Sequence, residues 1–323
     1  MSDEQMSDGP GEPSPPRSAL VLAALATAAV PGLEVVATRE PRGVEDHLEY
    51  TGLLDSVGRS WIVQAPRDVL GASTLDSAWR FVRALEADGA ALPFALISPA
   101  GFAHLETGMR AAVFPQPPGT PLRLELLTPG PGLAAGLGRA LAALHELPHE
   151  VAAQAGAPVY SAEECRTRLL SEVDEAARSG RVPAGLLRRW EAALEDVRAW
   201  RFQPTVVHGE LDEQRVLVED DQVAALTDIG GVHVGDPASD LAWLVAAAPE
   251  DALESVLEAY SFSRSGEVGT LLIARAHLLS ELAVARWLMQ GLRTDQAEVV
   301  AEAAAMLADL AEAVDGDPGL IPT

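Results

Sequence analysis

The chain is poor in thiols, in positive charge and in unbroken apolar runs. Its 323 residues hold one cysteine, Cys165, which excludes an internal disulfide framework and a zinc cluster built on thiolates. Cys165 falls in a helical pattern from Glu163 to Ala177, the setting of a partly buried structural thiol. Only 23 Lys and Arg stand against 48 Asp and Glu, for a net charge of −25. Such a surface repels phosphate polymers and anionic lipid. Neither nucleic acid nor a membrane is therefore an expected partner, whereas a small cationic substrate is. No stretch reaches the roughly 18 apolar residues that mark a spanning helix. Ser18 to Val30 comes nearest, behind a leader in which Asp3, Glu4, Asp8 and Glu12 outnumber Arg17. A secretory signal has a basic leader instead, so the segment reads as a buried helix and the protein as cytoplasmic.

What is present is apolar residue in quantity, 48% of the chain, sufficient for one large core or two lobes. Residues 1–17 are Pro, Gly, Ser and acids with little to bury, and read as a disordered acidic tail. Residues 18–114 read as a β-rich lobe. Its helix Ser18 to Ala29 stops at Pro31-Gly32, and strand-like pieces follow at Leu33 to Thr38, His47 to Leu54 and Ser60 to Ala65. A helical pattern from Thr74 to Ala87 comes next, then strand-like Phe94 to Ser98 and Arg110 to Phe114. Pro115-Gln116-Pro117-Pro118-Gly119 is a stiff connector inside a hinge, 115–121. From 122 to 316 the pattern is helical: Pro131 to Glu146, Ala162 to Ser179, Ala184 to Trp200, Pro237 to Ala248, Asp251 to Tyr260, Glu267 to Met289 and Thr294 to Val314. A β-rich lobe hinged to a helical one places ligands in the cleft between them.

One polar segment interrupts the helices. Val206-Val207 leads into His208-Gly209-Glu210-Leu211-Asp212-Glu213-Gln214-Arg215, then Val216-Leu217-Val218, and a further apolar run ends in Leu226-Thr227-Asp228. Phosphoryl transfer needs a carboxylate for the acceptor hydroxyl, oxygen ligands for magnesium and a cation on the nucleotide phosphates. A loop between two short strands, with an acid ending the next hairpin, suits that need.

Here the chain resembles the aminoglycoside and macrolide phosphotransferase family, its macrolide-phosphotransferase-like branch most closely. The residues that carry the resemblance are His208-Gly209-Glu210-Leu211 with Val216-Leu217, Leu226-Thr227-Asp228-Ile229, and Val234-Gly235-Asp236-Pro237-Ala238-Ser239-Asp240. Leu141 to His145 and the segment from Arg275 to Leu288 are similar to two of its helices. The resemblance spans residues 18–314. It implies an α+β, bilobal, protein-kinase-like fold. It also implies transfer of the terminal phosphate of ATP or GTP, with Mg2+, to a hydroxyl of a small molecule.

By the same resemblance, Glu210 stands where the family carries the catalytic Asp, with His208 orienting the loop beside it. Asp228 stands at the metal-binding acid. Arg215 occupies the place of the second metal ligand, Asn or His in the family, and a guanidinium has only donors and a permanent charge. Gln64 takes the place of the strand cation that meets the nucleotide phosphates, with Arg67 three residues on as a substitute. Where the helix should offer a paired Glu stand Ala78-Trp79-Arg80. The glycines that could approach phosphates are those of Thr51-Gly52 and Val57-Gly58. Arg215 has two readings, a direct phosphate ligand or an ion pair with Asp228 or Glu210 that would fill the magnesium site. Asp236 and Asp240 read as cap and core-network residues, and His145, Trp190, Trp200, Trp243 and Trp287 as core. Three functions follow: a small-molecule kinase, a catalytically dead relative that binds a ligand or protein in the same cleft, and a hydrolase using His208, which no metal-ligand spacing supports.

Overall fold

The computed structural model describes residues 16–45, 47–266, 268–269, 271–315 and 319–320. The expected tail lies outside the described residues except for Pro16 and Arg17. Arg17 is anchored: its backbone N–H donates to buried Glu49 at 2.6 Å, and its guanidinium binds the same carboxylate.

The first lobe opens with α1 (Ala19–Ala29), capped by the Ser18 hydroxyl, which accepts from the Val21 N–H. Three antiparallel strands follow, β1 (Val35–Glu45), β2 (Leu48–Asp55) and β3 (Ser60–Pro66). After α2 (Val69–Asp88) come β4 (Gly101–His104) and β5 (Arg110–Pro115), and the sheet order is β1-β2-β3-β5-β4. Alternation sorts the side chains. Trp61, Val63 and Ala65 of β3 join Ala111 and Val113 of β5 in a core under α1, with Leu22, Ala26 and Leu53. The intervening Ile62, Gln64, Ala112 and Phe114 therefore face the other side of the sheet.

Two expectations need correction. Helix α2 begins at Val69, not Thr74, because the Asp68 carboxylate accepts from the Gly71 N–H and so starts the helix a turn and a half earlier. Phe94 to Ser98 is not a strand of the sheet. It leaves for the other lobe, where the Ala95 N–H donates to the Ala224 carbonyl at 2.8 Å and the Leu226 N–H to Ala95 at 3.1 Å. The fifth strand is β4, whose Gly101 lies so close to the Ala29 carbonyl that an added Cβ would sit 2.1 Å away. Gly58 lies in the β2–β3 turn, and Gly52 lies within β2 against the Glu40 carbonyl.

The second lobe begins with a two-residue strand, β6 (Thr120–Pro121), then α3 (Leu133–His145), α4 (His149–Gln154), α5 (Ala162–Arg178) and α6 (Ala184–Glu195). Short strands β7 (Thr205–Val207), β8 (Val216–Glu219), β9 (Gln222–Leu226) and β10 (His233–Gly235) come next, followed by α7 (Ala242–Ala247), α8 (Glu250–Ser263), α9 (Leu272–Arg293) and α10 (Ala297–Ala313). Pro237 to Ala248, expected as one helix, is a 3-10 turn over Pro237–Asp240 and then α7, because the Asp236 carboxylate caps the tight turn. The core centres on Trp190, Tyr260, Leu137, Leu141, Leu186, Leu244 and Leu278, all under 2% exposed. Each such side chain contributes on the order of 2–3 kcal/mol by leaving water. Phe81, Val82 and Leu85 of α2 belong to this larger core, so α2 ties the sheet to the helical lobe.

Candidate active site

The loop 208–215 leaves β7 and enters β8, and β10 pairs back on β7 with His233 opposite Val207. Its inner side is fixed by one carboxylate. Asp240, fully buried, accepts from the His208 N–H at 2.7 Å, the Gly209 N–H at 2.8 Å and His145 Nε2 at 3.1 Å. His145 Nδ1 lies 2.8 Å from the Tyr260 hydroxyl. Burial penalises the Asp240 charge, yet the hydrogen bond and charge of His145, with the loop amides, hold its carboxyl below the ordinary range. Beside it, Asp236 holds buried Arg275 through Nε at 2.7 Å and Nη2 at 3.0 Å. Asp236, Asp240 and His145 are thus network and core residues.

His208 itself is buried, and both ring nitrogens are spent inside the loop. Nε2 donates to the Thr227 carbonyl at 2.8 Å, which leaves Nδ1 as the acceptor for the Glu210 N–H at 3.4 Å. That arrangement orients the loop. Gly209 adopts φ +85°, where an added Cβ would lie 2.8 Å from the His233 ring. Only glycine fits there, since both conformation and space exclude a side chain.

The outer side carries the residues of chemical interest. Glu210 is exposed and lies over Gly231, where an added Cβ would be 3.1 Å from its Cδ. Asp228 is exposed in the left-handed region, φ 55° and ψ 43°. Arg215 lies beside it. Its Nη1 bonds the Asp212 carboxylate, its Nε stands 3.9 Å from Asp228 Oδ2, and that Nε is buried without a hydrogen-bond partner. Of the two partners expected for Arg215, Asp228 lies within ion-pair distance and Glu210 does not pair with it; Asp212, three residues back, is the closer partner.

The fit of magnesium follows from these positions. Of the two metal ligands that the resemblance implies, Asp228 offers oxygens and Arg215 offers none. Among the described residues no group of three or more His, Cys, Asp or Glu is arranged to hold a metal ion. A divalent ion about 4 Å from a guanidinium meets a repulsion of about 2 kcal/mol in bulk water and about 8 at an effective dielectric of 20. The residues present therefore supply one of the two Mg2+ ligands that the resemblance implied, with a fixed positive charge at the other.

The opposite wall is β3 and α2. Gln64 pairs in register with Tyr50 and Ala112. Arg67 lies at the β3–α2 junction, where its backbone N–H donates to the His47 carbonyl at 2.8 Å and His47 Nδ1 meets Asp68 at 2.5 Å. Helix α2 reaches the Asp228 segment through Thr74, whose side chain an added Cβ on Gly230 would strike at 2.4 Å. No acid of α2 pairs with Gln64. The acid–cation pair between helix and sheet is Asp76 with Arg110 at 2.8 Å, on the Trp79 and Phe102 flank. Cys165 stays apart from this chemistry, its thiol pushed up to about 11 by burial.

A small antiparallel sheet with two helices, set over a helical lobe that presents a His-Gly-Glu loop and a hairpin acid, is the kinase-like class of phosphotransferase. The chain belongs to the phosphotransferase enzyme family, whose profile matches residues 42–271. No curated protein matches it. The macrolide 2'-phosphotransferase MphH from Brachybacterium faecium is similar at 26% identity, over 85% of this chain and 94% of that one, with a TM-score of 0.72. A type I macrolide 2'-phosphotransferase aligns at 23% identity over 85% and 92%, TM-score 0.70. APH(2")-IIia, solved with GDP and kanamycin, shares the fold at 19% identity over 91% and 99%, TM-score 0.73.

Proposed function

We propose that this chain binds a nucleoside triphosphate, ATP or GTP, in the cleft between residues 18–114 and 122–316, hinged at 115–121. Transfer of the terminal phosphate to a small-molecule hydroxyl is much weaker than in an intact family member, or lost. One observation carries this reading: Arg215, ion-paired with Asp212 and 3.9 Å from Asp228, stands where a metal ligand belongs. Glu210 remains in reach of an acceptor as a base, one methylene longer than the family's Asp, and a displacement on the order of 1 Å can cost about a hundredfold in rate. Family membership and the neighbours' macrolide and aminoglycoside chemistry support a polyhydroxylated, amine-bearing acceptor, as does the net charge of −25.

The same ion pair favours a second reading, a ligand- or protein-binding module without turnover. Calorimetric titration with each nucleotide, with and without Mg2+, followed by transfer from labelled nucleotide to macrolides and aminoglycosides, separates the two. Nucleotide binding with slow transfer is expected. Absence of binding at millimolar nucleotide would discard the kinase reading. Glu210→Asp with Arg215→Asn should raise transfer at least tenfold, and an unchanged rate would place the defect in the small lobe.

A further inference from the structure

Glu210 is exposed, and its place is set by what lies beneath it. Its backbone follows Gly209, and its side chain rests on Gly231, where an added Cβ would lie 3.1 Å from Cδ and 3.3 Å from Oε1. Those two glycines belong to different segments, the 208–215 loop and the turn Ile229–Gly231 that follows Asp228. One side chain touches both. His233 Nδ1 donates to the Gly231 carbonyl at 2.8 Å; a carbonyl only accepts, so the proton sits on Nδ1. The edge of the same ring meets Gly209, whose added Cβ would lie 2.8 Å from Cε1 and 3.1 Å from Nδ1.

The ring is itself held on its other sides. Gly235 leaves it room, since an added Cβ there would stand 2.8 Å from Cδ2 and Nε2. Tyr160 packs against it edge-on, with centroids 5.6 Å apart and planes at 70°. Tyr160 is fixed in turn, its N–H donating to the Val234 carbonyl at 2.9 Å and its hydroxyl accepting from Arg168 at 3.2 Å. The pairing of His233 with Val207, the residue before His208, sets the register of the whole arrangement. A packed imidazole therefore separates the loop that carries the base from the turn that carries the hairpin acid. A displacement of that base on the order of 1 Å can cost about a hundredfold in rate.

We propose that His233 is a positioning residue for Glu210: it wedges the base loop against the turn after Asp228, and its Nδ1–H sets how far apart the two carboxylates stand. It acts through Gly209 and Gly231 and touches neither nucleotide nor acceptor. This rests on the transfer reading above, and the two fail separately in the following experiment. Transfer of labelled phosphate to macrolides and aminoglycosides is measured as kcat and nucleotide KM in the full-length protein. The variants are His233→Leu, His233→Asn, Gly231→Ala, and Gly231→Ala combined with His233→Leu, each with a thermal melt. His233→Leu removes the donor and should lower kcat about tenfold, with KM within about twofold of the parent, the split of a group that acts on the base and not on binding. His233→Asn puts an amide N–H near the lost one and should restore kcat to within about threefold of the parent. Gly231→Ala puts a methyl under the Glu210 carboxylate and should also cost about tenfold in kcat. Because both changes act through one turn, the combination should be no slower than the slower single variant.

A folded His233→Leu with the parent's kcat would overturn this inference while leaving transfer intact. So would His233→Asn as slow as His233→Leu, or losses that multiply in the combination. Should His233→Leu not fold, the other two single variants decide. Gly231→Ala at the parent's kcat, or a folded His233→Asn about tenfold slower than the parent, would overturn it. No transfer from the parent, nor with Glu210→Asp and Arg215→Asn in place, defeats the transfer reading and this one with it.

Discussion

The two sides of the 208–215 loop have been treated differently. On the inner side Asp240, His145, Tyr260 and His208 form a closed, buried network with every loop amide it reaches satisfied. On the outer side Glu210 and Asp228 are exposed, and the Arg215 guanidinium pairs with a loop aspartate. Burial explains the contrast. A buried carboxylate that loses its donors, or donors that lose their carboxylate, cost the fold several kcal/mol. The exposed Glu210 and Asp228 cost it almost nothing to change. The fold therefore constrains the buried side of the loop more tightly than the exposed side.

The largest expected effect lies on the inner side. Asp240→Ala strands three donors in the core and should lower unfolding free energy by about 3–5 kcal/mol, read as a shift in urea midpoint at pH 7. The pH dependence has a definite sign. The folded Asp240 carboxyl lies below the ordinary carboxylate value, so its contribution is fully present above the unfolded value near 3.9. It is lost as the pH falls through the lower folded value. The gap between parent and variant should close below about pH 4; a gap independent of pH would show that the carboxylate's charge is not what stabilises the loop.

Gly209→Ala comes next, at about 1–3 kcal/mol, since it forces a side chain into the left-handed region and against His233. A variant as stable as the parent, with an unshifted His233 resonance, would mean the turn is less constrained than its geometry requires.

The smallest effect on stability belongs to the outer side. Arg215→Asn removes a partly exposed ion pair and should change stability by no more than about 0.5 kcal/mol, while magnesium-dependent nucleotide affinity rises tenfold or more. Equal sensitivity of stability at positions 215 and 240 would erase the distinction between the two sides. Failure of the magnesium response alone would show that Arg215 is not what excludes the ion.

The chain's contiguous signals were legible. The His208–Val218 loop, the hairpin acid Asp228, the Asp236-Pro237 turn and the β-rich-then-helical order all lie in short windows where spacing alone carries meaning. What failed to show did so for identifiable reasons. Phe94 to Ser98 has the apolar content of a strand, but its hydrogen bonds go to β9 in the other lobe, a choice no local window records. Gly101 hid the true fifth strand because glycine is a poor strand former, and its use there is close approach to α1. Arg215 has one of its expected partners, Asp228, at 3.9 Å, and its closer partner is Asp212, an (i, i+3) neighbour outside the expected pair of acids.

By itself the sequence determined the family, the two-lobed order, the acidic surface and the identity of every side chain on the loop, because those are properties of composition and of residues close in the chain. Only the tertiary structure decided that His208 uses both nitrogens to hold the loop, that the Arg215 Nε stands 3.9 Å from Asp228, and that Gln116 Oε1 is buried without a partner at the connector. Each of those outcomes depends on which groups the packed elements bring within hydrogen-bond reach, and that reach is set by how separate elements pack rather than by spacing alone.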